Sequence, residues 1–106
     1  MISQDRLEKA LSYLAITDDE TAQFKVDAER AKYKAKALYD AAVARLPGTV
    51  AERQGQAGEM REYKEAMDHH FSCLLEYEKR RNKRNTEELV VEVWRSEGAR
   101  MRGNVT

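Results

Sequence analysis

The chain has 106 residues, of which 42% are hydrophobic, 8% aromatic and 36% charged, with 19 Lys/Arg against 19 Asp/Glu. That length holds one domain and excludes a catalytic domain joined to a regulatory one, and zero net charge excludes a molecule that attracts nucleic acid or membrane by its total charge. One proline, five glycines, a mean hydropathy of −0.81 and abundant Ala, Glu, Lys, Arg and Leu exclude a strand-rich fold and predict an all-α protein with much helix surface in water.

Ser3 precedes Leu7, Leu11 and Leu14, spaced four and three apart, which predicts a short helix over 3–15. Thr17-Asp18-Asp19-Glu20 then has the capping-box pattern, with an acidic first turn that suits the helix dipole, so a second helix is expected over 18–46. Along it Phe24, Ala28, Ala31, Ala35, Leu38 and Ala42 form a heptad seam built mainly from alanine. Small seam residues let another helix approach closely, and the seam is a candidate interface. Tyr33, Tyr39, Val43 and Leu46 widen the apolar surface and point to more than one neighbour.

Pro47-Gly48 ends that helix, and Thr49-Val50-Ala51-Glu52 repeats the capping pattern. So short a connection folds a third helix, over 49–100, back antiparallel on the second. Its stripe is Met60, Tyr63, Met67, Phe71 and Leu74, continued by Tyr77 and supported by His70, while Gly55 and Gly58 weaken its first turns. The apolar phase lapses from Glu78 to Arg84 and resumes at Leu89, which predicts continuous helix with a kink or break near 82–86; residues 101–106 read as a tail. The predicted architecture is a single-domain, coiled-coil-like, long antiparallel helical hairpin with a short N-terminal helix.

A lone cysteine, Cys73, excludes an internal disulfide, and neither a basic-then-apolar leader nor a long apolar run opens the chain. A cytoplasmic protein without a membrane partner is the expectation. His69, His70, Cys73 and Glu65 contain metal-ligand chemistry, but adjacent histidines diverge by about 100° on a helix, so core and surface roles are the better reading. Glu59, Glu62, Glu65 and Asp68 make a carboxylate ladder that faces no matching acidic helix, since the second helix presents Lys32, Lys34 and Lys36. No nucleophilic triad, phosphate loop or CxxC pair is present, so neither an enzyme nor a cofactor is expected.

Charge is unevenly distributed. Residues 1–78 hold 11 Lys/Arg against 15 Asp/Glu, and residues 79–106 hold eight against four. Lys79, Arg80, Arg81, Lys83 and Arg84 form a cationic run that Arg95, Arg100 and Arg102 can extend. Three readings stand: a solvated helix with pairs such as Glu76 and Arg80, a DNA surface, or a dock for an acidic protein. Any stacking on bases must come from Tyr77 or Trp94. Trp94 with Val90, Val91 and Val93 either packs on Leu7, Leu11 and Leu14 or joins a subunit interface, to which Val90 and Trp94 are assigned as candidates.

The stretches TDDETAQFK at 17–25, VAERQGQAGEMREYKEA at 50–66 and YEKRRNKRNTEELVVEVWRSEGARMR at 77–102 resemble a family of small helical proteins of tailed phages and prophages. The most distinctive piece is Glu92-Val93-Trp94-Arg95-Ser96 followed by Arg100 and Arg102. The resemblance covers about four fifths of the chain and implies a phage origin, a host-cell cytoplasmic setting and an accessory role near recombination and single-strand-binding genes. Residues and resemblance together lead to a self-associating homo-oligomer that assists DNA recombination or replication, single strands favoured, through its basic helical surface. The alternatives are a protein that modulates or inhibits a host or phage enzyme, and a virion or assembly component.

Overall fold

The computed structural model describes residues 1–104, which form three helices and no strand: α1 (Gln4–Arg45), α2 (Val50–Glu59) and α3 (Arg61–Asn104). The all-α prediction holds, and several predicted boundaries are corrected. The expected helices over 3–15 and 18–46 are one helix of 42 residues. Ser3 does cap it, its Oγ accepting from the Arg6 amide at 3.1 Å. Thr17 does not cap anything. Its hydroxyl is buried and donates to the Tyr13 carbonyl at 2.7 Å, one turn back in the same helix. The reason is packing. Leu7, Ala10, Leu14, Thr17, Thr21, Phe24, Ala28, Ala31, Ala35, Leu38 and Ala42 recur at alternating spacings of three and four, and every one is buried or half-buried. With the seam continuous through position 17, extending the helix adds a hydrogen bond per residue and keeps the seam covered, which outweighs a local capping preference.

At the other end of α1 the turn is as the sequence predicts. Gly48 has φ +108°, where a side chain is strained, and a Cβ there would meet the Glu52 carboxylate at 2.6 Å. Thr49 caps α2, accepting from the Glu52 amide at 3.2 Å. The expected single helix over 49–100 divides at Met60, which is extended (φ −67°, ψ 135°). Gly55 and Gly58 make α2 a weak helix, so its own packing decides its course: Ala57 becomes buried, and the Arg53 guanidinium donates to the Val43 carbonyl at 3.4 Å. Beyond Met60, α3 runs without a break through 82–86 and continues to Asn104, where a tail over 101–106 was expected; residues 105 and 106 lie outside the described residues.

The buried side chains fall into two compact units rather than one core. The first joins Met1–Ala22 to the stretch from Glu78 onward; the second is Gln23–Tyr77. In the first, the start of α1 lies antiparallel to the end of α3, since Ile2 bonds Glu97, Arg6 bonds Glu87 and Arg80 bonds Glu20. Leu7, Ala10 and Val91 form its core, with Leu14 and Val90 packed against it. In the second, α1 and α3 are again antiparallel, with Tyr39 against Tyr63 and the Ala28 carbonyl against His70. Its buried residues are all alanines: Ala28, Ala31, Ala35, Ala42 and Ala57. No large side chain is fully buried among the described residues.

Candidate binding surfaces

The cationic run of α3 belongs to the first unit, and helical periodicity divides it. Arg80, Lys83 and Arg84 turn toward α1. Arg84 is the most enclosed, its side chain 15% exposed. One of its guanidinium nitrogens donates both to the Leu14 carbonyl at 2.8 Å and to the Thr17 hydroxyl at 2.7 Å, and the other reaches Asp18 at 3.3 Å. Arg80 donates to Glu20 at 2.8 Å, and the Lys83 ammonium stands 4.6 Å from the centre of the Tyr13 ring. Arg81 pairs with Glu78 at 3.4 Å and Arg95 with Glu92 at 3.0 Å; Lys79, Arg100 and Arg102 are exposed. The acidic turn Asp18-Asp19-Glu20 thus faces the basic run. The first unit carries ten Lys/Arg and ten Asp/Glu, the second nine of each, so the imbalance along the sequence vanishes in space.

One turn further, Arg6 grips Glu87 with two nitrogens at 2.7 and 3.0 Å. The Arg6 hydrogen bond holds the Glu87 carboxyl below the usual carboxylate range, against the opposing effect of burial, with the charges of Arg6 and Lys83 adding to the depression.

Of the predicted interface residues, Ala28, Ala31, Ala35 and Ala42 are closed against the chain's own helices, and Phe24, Leu38 and Val90 are half-buried. Self-association through those four alanines is therefore withdrawn: the seam is already covered within the chain. Trp94 is only partly covered at 37% exposure, and Leu11 is exposed; Val91, not the tryptophan, completes the core with Leu7. His69 and Cys73 touch at 3.7 Å, but no three His, Cys, Asp or Glu side chains among the described residues converge to hold a metal ion. The carboxylate ladder is partly paired, Glu59 with Lys64 and Glu65 with Arg61.

A second surface, in the other unit, escaped the sequence reading. Lys25, Lys32 and Lys36 line one wall of a groove between α1 and α3. The facing wall is Tyr63, Met67, His70, Leu74 and Tyr77. It comprises two adjoining hollows of about 240 and 280 Å³ that share Lys32 and His70. His70 is oriented by its Nδ1, 2.9 Å from the Ala28 carbonyl, and the exposed Phe71 ring lies 5.3 Å from the imidazole. Glu29 is the carboxylate in the lining, and Lys36 pairs with Asp40 at 2.9 Å in an exposed contact. The available signal was the spacing of seven and four in Lys25, Lys32 and Lys36, set on the same side as the aromatic stripe.

Comparison with known protein families, curated proteins and solved structures finds no match to this chain. No helix among the described residues is long and apolar enough to cross a membrane.

Proposed function

We propose that the chain is a non-catalytic accessory protein that binds nucleic acid, single strands in preference to duplex, along the lysine and aromatic groove of the second unit. The resemblance to phage proteins supplies the setting, DNA recombination or replication. The observation that carries the reading is the pairing of a lysine wall with an aromatic wall. Lysines neutralise phosphates and release counterions, and each base stacked on a ring contributes about 1–3 kcal/mol whatever its sequence. Tyr63, His70 and Tyr77 offer such rings at every second turn of α3, and Phe71 stands beside His70. The Lys36–Asp40 pair is no obstacle, because exposed pairs contribute little and a phosphate can replace the carboxylate. Arg80 and Arg84, held by α1, leave the nucleic-acid surface; Arg81, Arg95, Arg100 and Arg102 stay as secondary contacts.

Titration of a labelled single-stranded oligonucleotide at several salt concentrations tests this. Three phosphate contacts give a slope of about −2 in log K against log salt, at roughly 0.7 per contact. The Lys25, Lys32 and Lys36 triple alanine variant loses that slope, and Phe71→Ala weakens binding without changing it. Absence of binding at low salt rejects the function, and binding untouched by the triple variant rejects the groove.

A second reading, a modulator of another protein, draws on the balanced charge of each unit and on exposed Phe71 and Leu75, four residues apart on α3. Stoichiometric recovery of one protein partner after nuclease treatment favours it.

A further inference from the structure

The lysine and aromatic groove has a histidine at its centre. His70 lies seven residues after Tyr63 and seven before Tyr77, so two turns of α3 bring all three to nearly the same side of the helix. Both hollows include it, with Lys25, Glu29 and Lys32 beside it in one and Lys32, Lys36 and Tyr39 in the other. Ala28, whose carbonyl it meets, stands between Lys25 and Lys32 along α1.

That contact fixes where the imidazole carries its hydrogen. A carbonyl oxygen only accepts, so the 2.9 Å approach to Ala28 makes Nδ1 the donor. Nε2, on the other edge of the ring, is the nitrogen left for a ligand, and its character depends on pH. In the neutral ring it holds a lone pair, which a phosphate oxygen repels. In the imidazolium it carries a second N–H and shares the positive charge, which a phosphate oxygen accepts. The bond to Ala28 persists in both forms, so the ring changes character without turning. The charged groups that face it from α1 are Lys25, Lys32, Lys36 and Glu29, with Asp40 held by Lys36. Tyr39 on α1 and Tyr63 and Tyr77 on α3 are the titratable rings around it. Three lysines against Glu29 leave the lining net positive. A proton on Nε2 adds to that charge, so binding an anion and binding the proton reinforce each other.

We infer that His70 makes the groove's hold on single strands pH-dependent, its Nε2 becoming a fourth phosphate contact beside Lys25, Lys32 and Lys36 when the ring is protonated. The inference rests on the groove binding nucleic acid and adds the condition under which it binds most tightly.

An oligothymidylate is the probe, because its bases and phosphodiesters keep one charge between about pH 5.5 and about pH 7.5, where histidine changes its own. His69 and His70 are the two histidines of the chain. In low salt, wild type is expected to bind about five- to tenfold more tightly at the lower pH. Its slope of log K against log salt steepens from about −2 to about −3, at roughly 0.7 per contact. His70→Gln keeps the shallow slope at both pH values. His69→Gln, altered on the side of α3 that lines a separate hollow with Lys34, Glu62 and Glu65, behaves as wild type. Circular dichroism checks that each variant keeps its helix. The imidazole proton resonances of wild type, followed by NMR with and without the oligonucleotide, read the same coupling with no substitution: the His70 titration moves to higher pH on binding and the His69 titration stays. Absence of binding at either pH overturns the function of the groove and this inference together. Binding of equal strength and slope at both pH values overturns this inference alone, as does a pH response that survives His70→Gln or a His70 resonance whose titration binding does not move.

Discussion

Replacing Arg84 with alanine separates a structural arginine from a binding one. Arg84 gives two short hydrogen bonds across the helix pair, to the Leu14 carbonyl and the Thr17 hydroxyl, and makes a longer contact with Asp18, whose side chain is 75% exposed. Hydrogen bonds from a charged donor contribute about 1.5–3 kcal/mol, and the exposed Asp18 pair about 0–1 kcal/mol. Truncation leaves no acceptor orphaned, because Leu14 lies within α1 and the Thr17 hydroxyl still donates to Tyr13. The expected loss is therefore about 2–3 kcal/mol, below the sum of the separate bonds, plus the packing of the aliphatic stem. Arg84→Lys recovers about half. In urea denaturation followed by circular dichroism, with a slope of about 1.5–2 kcal/mol/M for a domain of this size, the midpoint falls by roughly 1–2 M. A double-mutant cycle with Thr17→Val gives a coupling of about 1 kcal/mol. A loss under 0.5 kcal/mol, the level of an ordinary surface substitution, refutes the clamp.

The Arg6–Glu87 grip gives a pH signature. The folded-state pKa of Glu87 lies below its unfolded value, so the stability it contributes is complete above the ordinary glutamate range and is lost as pH falls through the folded pKa. Thermal midpoints of wild type and Glu87→Gln should therefore differ at neutral pH and converge on acidification. Glycine substitutions should split by sign. Gly48→Ala, at φ +108° and against Glu52, costs about 1–2 kcal/mol, while Gly55→Ala, inside α2 with open space around it, stabilises by about 0.5–1 kcal/mol in chemical denaturation.

Local chemistry made the Pro47-Gly48 turn, the Thr49 cap and the alanine seam readable from sequence. Each depends on neighbours within a few residues. Thr17 shows where that reading fails. Followed by two aspartates and a glutamate, it reads as a cap, yet its role is set by Arg84, 67 positions away. The same distance concealed the fate of the cationic run, since a charge count along the chain cannot see that Asp18, Glu20 and Tyr13 lie across from it. The break at Met60 has no proline and no adjacent glycine to announce it; it follows a turn in which Ala57 is buried and Arg53 bonds the Val43 carbonyl of α1. The lysine groove shows in sequence only as the spacing of Lys25, Lys32 and Lys36, because it is assembled from residues 25–36 and 63–77.

A seam of methyl groups fixes how the protein responds to temperature. The heat-capacity increment of unfolding follows newly hydrated apolar area, and buried side chains of one methyl each release little of it. The increment per residue should fall below the ordinary 12–15 cal/mol/K or so, leaving a broad, shallow stability curve. Such a molecule loses little on cooling and melts over a wide interval, so its lower and upper limits of folding lie far apart.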